Sequence, residues 1–201
     1  MVIQANIYNK SEQLLRGVNS KIRDCKSCPL HTTRNNIVPG EGNAQAYIMF
    51  IGEGPGESED LQGLPFVGQS GSLLDQVFSF ASLERSEVFI GNVIKCRPPG
   101  NRNPSPSEIK ACCHFLEEQI RIINPRIIVT LGKISAEHLI KRPIKITKEN
   151  GHLHFLDEPL CKNNPPIMTV FHPAYILRNR KPEIQEAFFQ AIKDAKEIAY
   201  G

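Results

Sequence analysis

This chain of 201 residues contains no tryptophan and only three methionines. No apolar run in it approaches the roughly 18 residues needed to cross a bilayer, so a membrane-spanning helix is not expected. The opening MVIQANIYNKSEQLL has no basic end followed by an apolar core, which argues against a secretory leader and for an intracellular protein. A large charge excess is also lacking. The formal net charge is +3, so the total does not announce a nucleic-acid binder, and the local cluster LRNRK at 177–181 matters more. No internal repeat or disordered linker stands out. The length suits a single domain over 1–201, large enough to bury a core without disulfide staples.

Cysteine, by contrast, is present six times, at Cys25, Cys28, Cys96, Cys112, Cys113 and Cys161. In a reducing compartment metal binding or burial accounts for these better than disulfides do. Cys25 and Cys28 have the C-x2-C spacing that lets two thiolates hold one metal, and Cys96 and Cys112 supply a second pair. Four thiolates suit tetrahedral zinc or an iron–sulfur cluster, and spacing alone does not separate the two. A redox pair at 25 and 28 fits less well, since Pro29-Leu30 follows and no thioredoxin-like strand precedes it. Adjacent helical residues point about 100° apart, so only one of Cys112 and Cys113 should face a metal.

Hydrophobic patterning predicts a helix over 11–24 with Leu14, Leu15, Val18 and Ile22 on one face and Ser11 as its cap. Short apolar runs at 46–52, 87–96 and 125–132, and PIMTVF before His172, read as four strands. Helical spacing occupies 71–83, the stretch after Ser105 or Ser107, a segment from about Ser135, and the closing KPEIQEAFFQAIKDAKEIA. IKITKENGHLHFL reads as a hairpin turning at Asn150-Gly151. Strands separated by helices imply an α/β fold of three layers, α/β/α, around a mostly parallel four-stranded sheet. Ligands on such sheets sit beyond the carboxyl ends of the strands, where GEGPG, Asn92 and His172 fall.

The glycine loop GEGPGESEDLQGLPFVGQSG, beginning at Gly52, superficially resembles a dinucleotide fingerprint. Its third glycine comes one place early, Pro55 removes a backbone donor, and Glu57, Glu59 and Asp60 would repel phosphate. No Gly-Lys-Ser/Thr follows, so it is not a Walker loop either. A mobile surface loop would leave unexplained why two further polar strand ends lie beside it.

CKSCPL, GEGPGESEDLQGLPFVGQSG, GNVIKCRPPGNRNPSPSEIKACCHFL and FHPAYILR occur in that order. Together they resemble a family 4 uracil-DNA glycosylase, the iron–sulfur class of its superfamily, over about residues 14–198. The resemblance implies a [4Fe–4S] cluster on Cys25, Cys28, Cys96 and Cys112, and a monomeric, cytoplasmic, prokaryotic and nucleoid-associated enzyme acting on uracil in single- or double-stranded DNA. It implies that Phe66 stacks on uracil, that Asn92 reads the base edge with its amide, and that His172 donates to uracil O2 while the Gly52–Glu53–Gly54 backbone lines the ring. Glu59 matches the position that crowds C5 and excludes a thymine methyl. Tyr175, Ile176 and Leu177 are candidates for filling the vacated base stack, and Arg178, Arg180 and Lys181 for touching phosphates.

In one place the chain departs from the family pattern, which has alanine where this sequence has Gly54. The first family has a water-positioning aspartate there, and glycine offers no base. Glu53 is the nearest carboxylate by sequence and the candidate activator. The missing aspartate motivates a second hypothesis, a non-catalytic iron–sulfur DNA-binding module. A third is a trap that bonds to the abasic sugar, disfavoured because KRPIKITK carries no histidine where such relatives have one.

Overall fold

The computed structural model describes residues 2–201, with side-chain surroundings from Lys10 onward. Six strands form one sheet: β1 (Glu41–Gly42), β2 (Ile48–Gly52), β3 (Phe89–Asn92), β4 (Ile127–Leu131), β5 (Leu153–His154) and β6 (Ile167–Val170). Their spatial order is β1-β3-β2-β4-β6-β5. The four strands expected from the apolar runs make the parallel centre, β3-β2-β4-β6. Every residue of these four is buried, as parallel strands covered on both faces must be. Two antiparallel edge strands of two residues each, β1 and β5, complete the sheet.

Helices cover both faces. On one lie α1 (Val2–Arg23) and α4 (Pro106–Ile123), whose Leu15, Val18, Ile22, Leu116 and Ile120 pack with Met49, Ile51, Phe89 and Ile128 of the sheet. The other face carries α3 (Gln69–Phe80), the short α7 (Pro173–Arg178) and α8 (Pro182–Tyr200). Leu74, Val77, Phe78 and Phe188 there join Phe50, Ile90 and Val129. Three shorter helices, α2 (Glu57–Gln62), α5 (Lys133–Ile140) and α6 (Ile146–Glu149), follow strand ends or connect elements.

Several expectations are corrected. The first helix begins well before Ser11, which is therefore internal and not a cap, and Leu14 is 50% exposed. Asn150-Gly151 does not turn a hairpin, because Ile146–Glu149 closes into a helical turn. Gly151 does adopt φ +78°, but it leads into β5, which pairs with β6 instead. Of the two serines proposed to start α4, Ser105 caps it: its hydroxyl accepts from Glu108 N–H, and the Glu108 carboxylate accepts from Ser105 N–H. Pro106 occupies the first turn, and Asn124 ends the helix in the left-handed conformation before Pro125. These are the local signals that specify a helix start and stop.

Candidate active site and cysteine site

The parallel register brings the carboxyl ends of the strands to one edge, with Gly52 directly beside Asn92. A cavity of about 520 Å³ opens there, lined by Glu53, Gly54, Glu59, Phe66, Asn92, Gly132 and His172. All the sequence-predicted base-site residues except Gly52 are in that lining. Gly52 lies just beneath it: a Cβ on residue 52 would stand 2.5 Å from Asn92 Oδ1 and 2.7 Å from Phe66 Cζ. Only a glycine lets the strand end, the amide and the ring come so close.

Asn92 is 1% exposed, and its Oδ1 is the one buried side-chain oxygen or nitrogen without a hydrogen-bond partner among the described residues. An unmet buried acceptor is costly, which marks it as a group awaiting a ligand. Phe66 takes φ +51° in the turn before α3, and its ring centroid lies 6.0 Å from that of His172. The turn is gripped from two sides. Glu59 Oε1 accepts from Val67 N–H at 2.9 Å and Gly68 N–H at 2.8 Å, and Glu59 Oε2 accepts from Gly56 N–H at 3.1 Å. Arg85 donates to the carbonyls of Phe66 at 3.0 Å and Pro65 at 2.7 Å and to Asp75 at 2.8 Å. Arg85 was not legible from sequence, because its contacts lie about twenty residues away.

His172 caps α7: its Nδ1 accepts from Ala174 N–H at 3.1 Å. Nδ1 is therefore unprotonated, and the neutral ring carries its proton on Nε2. Burial, reinforced by the positive charge of Arg178, lowers the pKa of His172 to about 4. Gly132, at φ +99°, leaves room for it, since a Cβ there would lie 3.0 Å from His172 Cβ. The Glu53 carboxylate accepts no hydrogen bond from any described group, and burial raises its pKa. The Glu53 carbonyl accepts from Ile94 N–H at 3.1 Å, which fixes the backbone. At Gly54 a Cβ would meet Ile94 Cγ1 at 2.7 Å; this neighbour gives a packing reason for glycine where the family pattern has alanine.

The sequence reading missed the proline-rich loop as a wall of this cavity. Pro98, Asn101, Arg102 and Asn103 line it, held by the Arg102–Glu108 pair at 2.7 Å. Its position directly after β3 was the available signal. Past His172, the residues proposed to enter DNA differ in availability. Ile176 is 0% exposed and belongs to the core, so it has no free side chain to insert, which corrects that expectation. Tyr175 is half-buried and stacks on Phe171 at 5.1 Å. Leu177 is half-exposed beside Arg178, and Arg178, Arg180 and Lys181 are exposed.

At the cysteine site, Cys25, Cys28, Cys96 and Cys112 line one small cavity together with Arg34 and Lys95. Cys113 is not in its wall; its Sγ faces the Lys110 carbonyl. Cys161 is buried elsewhere in the core. Arg34 Nη1 donates to Cys96 Sγ at 3.0 Å. Burial pushes the Cys112 thiol up to about 11 and raises that of Cys96 against the opposing pull of Arg34. Such thiols lose their protons when a metal supplies positive charge. Among the described residues, no three His, Cys, Asp or Glu side chains converge closely enough to hold a single ion.

Comparison with known proteins agrees with this geometry. The family model described as the uracil DNA glycosylase superfamily matches residues 39–196. A type-4 uracil-DNA glycosylase of Thermotoga maritima is 43% identical over 187 residues, covering 92% of this chain and 94% of that one. The protein of the same name from Sulfurisphaera tokodaii is 41% identical over 193 residues, covering 92% and 84%. A type-5 uracil-DNA glycosylase of Pyrobaculum aerophilum is more distant, 28% identical over 52% of each chain. With its ordered motifs meeting at one cavity and its similarity running nearly end to end, the chain belongs to the uracil DNA glycosylase superfamily, in the type-4 branch.

Proposed function

We propose that this chain is a uracil-DNA glycosylase that hydrolyses the N-glycosidic bond of a uracil flipped out of DNA and leaves an abasic site. The observation that carries the reading is the unpartnered, buried Asn92 Oδ1 facing a cavity walled by Phe66. Uracil N3–H is the donor that oxygen lacks, and the amide's NH2 would meet O4. Cytosine presents the reverse pattern and would leave buried groups unpaired, at about 1–3 kcal/mol per group. An extruded base would stack on the Phe66 ring.

As the C1′–N1 bond breaks, its electron pair moves onto uracil, with charge gathering at O2. His172, neutral and protonated on Nε2, donates to O2 without itself giving up the proton. The sugar takes on oxocarbenium character, and a water oxygen bonds to C1′. Glu53 accepts that water's proton; its raised pKa makes it a better base than an exposed carboxylate. Glu59 holds the Phe66 turn in place, and its carboxylate, already accepting three backbone N–H groups, borders the cavity where C5 would lie.

We further propose that Cys25, Cys28, Cys96 and Cys112 hold a [4Fe–4S] cluster. Support comes from the donor chemistry: four cysteines around one cavity, not drawn onto one point, with two cations alongside. Bound there, the cluster would tie α1 and the proline-rich loop together, and none of the steps above needs an electron from it. The exposed cations after α7 suit phosphate contacts, and Leu177 with the half-buried Tyr175 suits the vacated stack. The decisive assay is release of free uracil from an oligonucleotide carrying one uracil opposite guanine. Iron-loaded protein should release uracil and leave an alkali-labile site; tight binding without release would instead identify a DNA-binding module.

A further inference from the structure

A buried lysine stands between the two sites. Lys95 is fully buried, yet no carboxylate among the described residues pairs with it. Its ammonium donates to the Asn92 carbonyl at 2.9 Å and to Gln119 Oε1 at 2.8 Å. Gln119, equally buried, donates in turn to the Pro39 carbonyl at 2.9 Å and to Asn19 Oδ1 of α1 at 3.3 Å. Two neutral acceptors do not balance a cation removed from water, and buried lysines are almost always paired with a charge. Among the described residues, the groups placed to serve as anions are the cysteine sulfurs. Lys95 lines the cysteine cavity beside Cys96 and Cys112. Four thiolates around an iron–sulfur core leave that assembly with net negative charge.

Resting on the iron–sulfur reading above, we propose that Lys95 is the buried counter-charge of the cluster. Through its bond to the Asn92 carbonyl it also ties the cluster to the residue that reads the base. Lys95 is thus a positioning residue. It holds the end of β3 beside the cysteine site. Arg34, half-exposed on Cys96, is the second, solvent-screened cation.

The test compares anaerobically purified holoenzyme with Lys95→Met, which keeps the unbranched apolar stem without the ammonium, and Lys95→Gln, which keeps a donor without the charge. Loss of visible absorbance to an iron chelator and the midpoint potential of the cluster are measured for each. Both variants should lose iron about 10–100-fold faster than wild type. Their midpoint potentials should fall, because removing a positive charge favours the oxidised, less negative core. A folded variant that retains no iron fulfils the same expectation, and should Lys95→Met not fold, Lys95→Gln carries the reading. Loss rates within about twofold of wild type, with an unchanged potential, would overturn the inference, given the usual size of outer-shell effects. Wild-type protein lacking iron would instead remove the cluster reading itself, and the inference with it.

Discussion

Glu59 and Arg85 grip the same turn from opposite sides: the carboxylate accepts from Val67 and Gly68 N–H, and the guanidinium donates to the Pro65 and Phe66 carbonyls. Between them Phe66 is held at φ +51°, a conformation that a bulky residue rarely adopts unless its surroundings demand it. Gly71 is part of the same device, because a Cβ there would lie 1.8 Å from the Phe66 carbonyl oxygen. The ring proposed to stack on uracil is therefore set before DNA arrives, which reduces the ordering needed on binding.

Arg85→Met removes both carbonyl contacts. Hydrogen bonds to charged groups contribute about 1.5–3 kcal/mol, so kcat/KM should fall roughly tenfold or more, with KM affected more than kcat. Inhibition by free uracil should weaken in parallel, and Arg85→Lys should restore part of it. Uracil inhibition that stays at the wild-type level while the melting temperature drops would reduce Arg85 to a stabilising role only.

Acid should weaken the fold through His172. Its folded pKa, about 4, lies below the ordinary imidazole value of 6.5, because of burial first and Arg178 second. The unfolded chain therefore binds the extra proton between these values, and stability falls as pH drops from about 6.5 to about 4. The full effect is on the order of 3 kcal/mol. Glu108 has the depressed pKa of a paired carboxylate, about 2, set first by Arg102, so its contribution is lost at lower pH, from 4.5 down to 2. Urea midpoints measured at pH 7, 5.5 and 4 should decline for wild type, and His172→Gln should flatten the slope between about pH 6.5 and 4.

The rate should lose its acid limb with Glu53. Burial raises this carboxyl, so the limb should lie above the range of an exposed glutamate and above the pH of about 4 at which His172 takes up its proton. Glu53→Gln should abolish the limb and lower kcat by about 100-fold or more. Single-turnover excision across pH checks this, and a limb that survives in Glu53→Gln would place the base elsewhere.

Gly54 and Ile94 should behave as a coupled pair. A Cβ at residue 54 would meet Ile94 Cγ1 at 2.7 Å and Cδ1 at 2.9 Å, and overpacking of this kind costs about 1–3 kcal/mol. Gly54→Ala should therefore lower stability and slow excision, and its added cost should be smaller in an Ile94→Ala background, which itself loses about 2–5 kcal/mol of core packing. A double-mutant cycle with no coupling would show that the glycine has some other cause.

The sequence carried the central strands plainly, because β2, β3, β4 and β6 are buried on both faces and so read as short apolar runs. The two-residue edges β1 and β5 have no periodicity to detect. Asn150-Gly151 misled because a hairpin turn and a helix exit both use a glycine at positive φ. In the candidate site, residues directly at strand ends or in ordered motifs were legible: Glu53, Asn92, His172 and the four cysteines. Arg85, Lys95 and Gly132 were not, since their places are defined by contacts with chain far away or by backbone geometry. Ile176 failed for the opposite reason: an apolar residue beside a basic cluster reads the same whether it faces the core or DNA.

Single-turnover excision of uracil opposite guanine by wild type and by Asn92→Ala, at saturating iron-loaded enzyme, tests the central claim most directly. Asn92 is proposed to meet the base while charge develops on it, and removing one such preorganised group costs about 100–1,000-fold in rate. The account predicts a loss of that size, with the fold and iron content unchanged. An Asn92→Ala rate within about threefold of wild type would contradict it, because that is far below the loss of a group that stabilises the leaving base.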